Sequence, residues 1–115
     1  MPTINAFFED EAYVPKLDAI SSELKDLVSE ELSCGDRKLK PEEVTLRLLH
    51  SLGKSMMAPI EMDITAAPYS ERIDRQDQIC LSVRQFVLDH VNGLENAQVW
   101  LNLHELGHSI EEPKG

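Results

Sequence analysis

Apolar and polar residues alternate at the start of the chain, with Ile4, Ala6 and Phe8 interleaved by Thr3, Asn5 and Phe7. This two-residue period predicts a strand from Pro2 to Phe8. The period then becomes helical. Pro15 stands where a first-turn proline is tolerated, Ile20, Leu24, Leu27 and Val28 recur on one face, and Cys34-Gly35 predicts the stop. Beyond the basic loop Arg37-Lys38-Leu39-Lys40-Pro41, alternation over Val44-Thr45-Leu46-Arg47-Leu48 predicts a second strand.

The same order then recurs. Pro59 to Thr65 alternates as a strand, and Pro68-Tyr69-Ser70 introduces a helix with Ile73, Cys80, Val83, Val87 and Val91 assigned to one face. Asn92-Gly93 ends that helix, Val99 to Leu103 alternates as a fourth strand, and Glu111 to Gly115 reads as a frayed tail. Laid on one another, the halves match Pro2 to Pro59, Tyr13 to Tyr69, Val44 to Val99, Leu46 to Leu101 and Leu48 to Leu103. The expected organisation is one domain over residues 1–115, with repeats of about 1–56 and 57–115. A single βαβ unit cannot cover its own sheet, so the expected α/β fold joins two of them into a four-stranded sheet backed by two helices. The other sheet face carries Thr45, Arg47, Glu61, Asp63, Thr65 and Asn102 together with Phe7, Leu49 and Trp100. Such a face is too polar for a dry core and too apolar to stay bare, so several subunits are expected to close their sheets into a barrel.

Composition narrows the function. The length of 115 residues suits one domain, and 11 Lys and Arg against 21 Asp and Glu give a net charge of −10. With no basic stripe, nucleic acid is not an expected partner, and no long apolar run predicts a membrane segment. The opening residues turn acidic at Glu9, Asp10 and Glu11 and lack the pattern of a secretion signal, so a cytoplasmic protein is expected. Cys34 and Cys80 have no CxxC partner and read as reduced thiols.

Two motifs could carry chemistry. If Met1 is removed, Pro2 presents a secondary amine at the start of a strand. An α-amino group has a pKa of roughly 8, and desolvation lowers it toward the range of a general base. If Met1 is retained, the same nitrogen is an amide without a basic lone pair. The second motif, His104-Glu105-Leu106-Gly107-His108, is an HExxH pattern that on a helix would place two zinc ligands on one face. A third ligand is missing. The extended pattern needs Gly at Glu111 and His at Lys114, and Glu112 would lie about 12 Å from His104 along a helix. No residue is therefore assigned to a metal. His50 and His90 read as solvated, Glu61 and Asp63 as a polar sheet face, and Met56-Met57 as packing between subunits.

The proline-initiated strand, the Lys-Pro loop and the repeated βαβ order together resemble the tautomerase superfamily over nearly the whole chain. Lys40-Pro41 before the second strand is similar to the lysine-proline entry of the macrophage migration inhibitory factor branch. Pro68-Tyr69-Ser70-Glu71-Arg72-Ile73-Asp74-Arg75-Gln76 resembles the strand-to-helix passage of the 5-carboxymethyl-2-hydroxymuconate isomerase branch. The resemblance implies a homotrimer and a cofactor-independent tautomerase or isomerase acting on a small enolisable carbonyl compound. It makes Pro2 the base and Lys40, Arg47 and Arg72 the cations at the substrate. The second-strand arginine of the 4-oxalocrotonate tautomerase branch matches Thr45 here, with Arg47 two residues on along the same face. The arginine expected before the second helix is replaced by Ser70, with Arg72 and Arg75 nearby. A catalytically silent trimeric binding protein and a zinc peptidase built on the HELGH segment are the alternative functions.

Overall fold

The structure is a computed structural model that describes residues 2–35, 37–52 and 56–104. Its elements follow the order β1 (Thr3–Phe8), α1 (Tyr13–Leu32), a single 3-10 turn (Pro41–Glu43), β2 (Thr45–His50), β3 (Ile60–Ala66), α2 (Ser70–Asp74), α3 (Gln76–His90) and β4 (Ala97–Leu103). The four strands form one mixed sheet in the order β2-β1-β3-β4. β1 pairs parallel with β2, β3 pairs parallel with β4, and the two βαβ units meet where β1 and β3 run antiparallel.

Alternation decides which face is covered. Ile4, Ala6 and Phe8 of β1 and Ile60, Met62, Ile64 and Ala66 of β3 are buried. Because side chains alternate across a strand, one face of the two central strands is wholly apolar. α1 covers it with Leu17, Ile20, Leu24, Val28 and Leu32, and α3 with Ile79, Val83 and Val87. On the opposite face the register sets Arg47 beside Asn5 and Asp63, and Asp63 beside Trp100. Trp100 is 41% exposed and Leu49 37% exposed, as a face without helices requires.

Three local expectations are corrected. α1 ends at Leu32, before Gly35, and Ser33 takes over: its Oγ donates to the Ser29 carbonyl at 2.8 Å and accepts from the Leu39 amide at 3.0 Å. The predicted second helix divides at Arg75, whose guanidinium donates to Glu31 Oε2 at 2.8 Å. Ile73 is not on the buried face but 51% exposed, while Arg72 is 3% exposed. The geometry explains the exchange. At about 100° per residue, a face centred on Ile79, Val83 and Val87 leaves Ile73 roughly 80° to one side and Arg72 within about 20° of its middle. Met57, expected to pack between subunits, is 75% exposed on the single chain. His50, expected to be solvated, stacks on Phe8 with ring centroids 5.2 Å apart.

Cys80 lies to the side of the same helical face and is half-buried. Burial raises its pKa above the ordinary 9.0; the Leu101 backbone opposes this and Asp77 adds to it. The folded state thus disfavours the thiolate. The stability this group contributes is fully present below its unfolded pKa and is lost as pH rises through the raised folded value. Iodoacetamide at pH 8 is expected to label Cys80 more slowly in the native protein than after denaturation, as peptide mass spectrometry would resolve; equal rates would contradict the burial effect.

Candidate active site

β1 delivers Pro2 to one end of the sheet, where the Thr45 amide donates to the Pro2 carbonyl at 3.0 Å. Pro2 is buried. A cleft of about 340 Å³ opens beside it, lined by Arg37, Lys38, Leu39, Glu43, Ala67, Tyr69 and Arg72. The walls come from both halves of the chain: the segment between α1 and β2 on one side, and the passage from β3 into α2 on the other.

The α1–β2 segment is shaped by a tight turn. Cys34 and Arg37 pair as an isolated antiparallel bridge, with the Cys34 amide donating to the Arg37 carbonyl at 2.9 Å and the Arg37 amide donating back. Gly35 inside that turn has φ of 46°, a left-handed conformation glycine adopts without penalty. The turn brings Arg37 over Tyr69, with its Cζ 4.8 Å from the ring centroid. Arg72 approaches the same ring at 4.6 Å.

Arg72 is buried and committed to backbone. Its Nε donates to the Leu32 carbonyl at 2.9 Å and its Nη1 to the Ala67 carbonyl at 3.1 Å. Leu32 is the last residue of α1, whose final carbonyls have no partner within the helix, and Ala67 directly follows β3. A single guanidinium therefore ties the end of a helix to the end of a strand. Burying that charge is tolerable because its donors are used.

Of the residues singled out from the sequence, Pro2 and Arg72 come together at the cleft. Lys40 is exposed and outside the lining. Arg47 is exposed on edge strand β2, on the face away from the helices. Within one chain neither is brought to Pro2. The cleft instead recruits Arg37, Lys38, Glu43 and Tyr69, which sequence reasoning left out. The signal for the first two was the basic run Arg37-Lys38-Leu39-Lys40, where the lysine nearest the proline was chosen and the turn at Gly35 was not foreseen. Three cations against one carboxylate make the lining locally positive in a chain of net charge −10.

His104 is exposed just past β4, and the rest of the HELGH segment lies outside the described residues. Among the described residues, no group of three His, Cys, Asp or Glu side chains could hold a metal ion. Among them, too, no helix is long and apolar enough to cross a membrane.

No protein-family model matches the chain, and no curated protein matches it in sequence. Solved structures do. A macrophage migration inhibitory factor-like protein from Entamoeba histolytica superposes with a TM-score of 0.62 at 16% identity, covering 91% of this chain and 88% of that one. A fused 4-OT wild-type asymmetric trimer gives a TM-score of 0.58 at 13% identity over 94% of this chain and 91% of that one. A domain of unknown function, DUF1904, from Sebaldella termitidis gives 0.50 at 12% identity over 90% of this chain and 88% of that one. With two βαβ units joined through β1 and β3 and likenesses that span nine tenths of its length, the chain has a tautomerase-like fold.

Proposed function

We propose that the protein is a tautomerase or isomerase that moves a proton between the keto and enol forms of a small carbonyl compound, with the Pro2 nitrogen as general base. The observation that carries this reading is the position of Pro2: buried, anchored through its carbonyl to Thr45, and facing a cleft with a cationic lining. Once Met1 is removed, Pro2 is a secondary amine, and burial disfavours its protonated form. The nitrogen takes the proton from the carbon beside the carbonyl. The C–H electron pair moves into the new carbon–carbon double bond, and the carbonyl pair moves onto oxygen as an enolate. Protonation of that oxygen completes the enol, and the reverse path regenerates the ketone. The cations of the cleft favour the enolate because they are already oriented where negative charge develops.

No bound cofactor is needed for such a transfer. Of the cations implied by the family resemblance, Arg72 is the one at the cleft. Lys40 and Arg47 would contribute only across a subunit boundary, which fits a homotrimer in which the open sheet faces close on one another. The 4-OT neighbour is itself described as a trimer.

The test combines intact mass with activity. The purified protein is expected to lack one methionine and to ketonise enol-phenylpyruvate. Pro2→Ala, likewise freed of Met1, is expected to lose about 10² or more in kcat, within the range that general-base catalysis supplies. Undiminished turnover by Pro2→Ala would remove proline as the base. A full-length mass with no turnover would favour the silent binding protein.

A further inference from the structure

Arg37, Tyr69 and Arg72 form a three-membered stack at the cleft, and its two cations are held very differently. Arg72 is 3% exposed and two of its nitrogens are bound to the Leu32 and Ala67 carbonyls. Its position is fixed by backbone, and little of its hydrogen-bonding capacity is left for a ligand. Arg37 is exposed. Among the described residues, its guanidinium forms no ion pair or hydrogen bond and its side-chain contact is with the Tyr69 ring. Lys38, next along the same turn, also lines the cleft and forms no ion pair among the described residues.

Placing two guanidiniums on one ring concentrates positive charge. Tyr69 offsets part of the cost through its π faces, but the two cations still repel one another. An anionic group entering the cleft would relieve that repulsion, and a planar fork such as Arg37's can bind a carboxylate through two parallel hydrogen bonds. The apolar share of the lining, Leu39, Ala67 and the Tyr69 ring, accepts the uncharged body of the same molecule. Glu43, the one carboxylate in the lining, disfavours a ligand charged at both ends.

We infer that Arg37, assisted by Lys38, is the cation that selects the substrate, binding the single carboxylate of a small enolisable acid, and that Arg72 is a positioning residue that holds Tyr69 beneath it. This rests on the proton-transfer reading of Pro2 and assigns the binding role to residues other than Lys40, Arg47 and Arg72.

The experiment compares enol-phenylpyruvate with the enol of its methyl ester, which keeps the reacting atoms and removes the charge. The native protein is expected to prefer the acid by tenfold or more in kcat/KM. Arg37→Ala is expected to raise KM for the acid about tenfold with kcat little changed, and to leave the ester's KM alone. Lys38→Ala is expected to do the same to a smaller degree, and Arg37→Lys to recover part of the preference. Lys25→Ala on α1, which removes one positive charge elsewhere, is expected to change neither substrate. Loss of acid and ester turnover to the same degree in Arg37→Ala would make Arg37 structural and overturn the assignment. An unchanged acid-to-ester ratio in Arg37→Ala would overturn it as well, with Pro2 chemistry still standing if Pro2→Ala remains inactive. A native protein with a free Pro2, verified by mass, that turns over neither compound would end the proton-transfer reading and this inference with it.

Discussion

Ile64→Ala is expected to destabilise the protein by about 2–5 kcal/mol, the range for removing three carbons from a packed core. Ile64 is 0% exposed at the middle of β3, paired in register with Ile4 on one side and Leu101 on the other. Both neighbours are buried and point to the helix-covered face, so the vacated volume sits between strands that backbone hydrogen bonds prevent from closing up. Chemical denaturation should show a lower midpoint with little change in slope. Ile64→Val, which removes one methyl group and preserves the β-branch, is expected to cost about 1 kcal/mol. If alanine cost no more than valine, the core around β1, β3 and β4 would be looser than its burial indicates.

Arg72→Ala comes next in size, at about 3 kcal/mol or a fall of roughly 10 °C in Tm. The loss has two parts: two charge-assisted hydrogen bonds disappear, and the carbonyls of Leu32 and Ala67 are left without those donors. Arg72→Met isolates the second part, because it keeps much of the volume and covers Tyr69 while supplying no donor. It is expected to recover less than half of the lost stability. Differential scanning calorimetry on the three proteins decides the matter. Full recovery by methionine would show that packing, and not the bridge from helix to strand, accounts for the burial of this residue.

Sheet and helices were legible in the sequence because each central element repeats one simple period. Ile4, Ala6 and Phe8 mark β1, Leu17, Ile20, Leu24 and Val28 mark the inner stripe of α1, and all are buried as that periodicity requires. Arg72 escaped the same logic. A hydrophobic stripe identifies a buried face by its apolar members, so an arginine at the centre of the face reads as solvent-facing and the neighbouring Ile73 is chosen in its place. What makes Arg72 fit is a pair of carbonyls supplied by Leu32 and Ala67, which lie 40 and 5 residues away in the chain. No local window contains that information. The cleft was partly legible for a related reason. Pro2 follows from its place before the first strand, whereas the choice of Arg37 over Lys40 depends on a turn whose geometry is set by Gly35 and by a bridge between Cys34 and Arg37.

The arginine pair at the α2–α3 junction has a consequence for how the molecule assembles. Arg75 and Arg72 grip Glu31 and Leu32, so the final turn of the first helix is closed by donors from the second half of the polypeptide. A peptide carrying the first half alone would lack these donors, one wall of the pocket and the strand that pairs with β1 on its inner side. Cut in the connection between β2 and β3, the two fragments should be unable to recognise ligand separately and should regain that ability only on recombination, so that reconstitution of binding reports the docking of the halves.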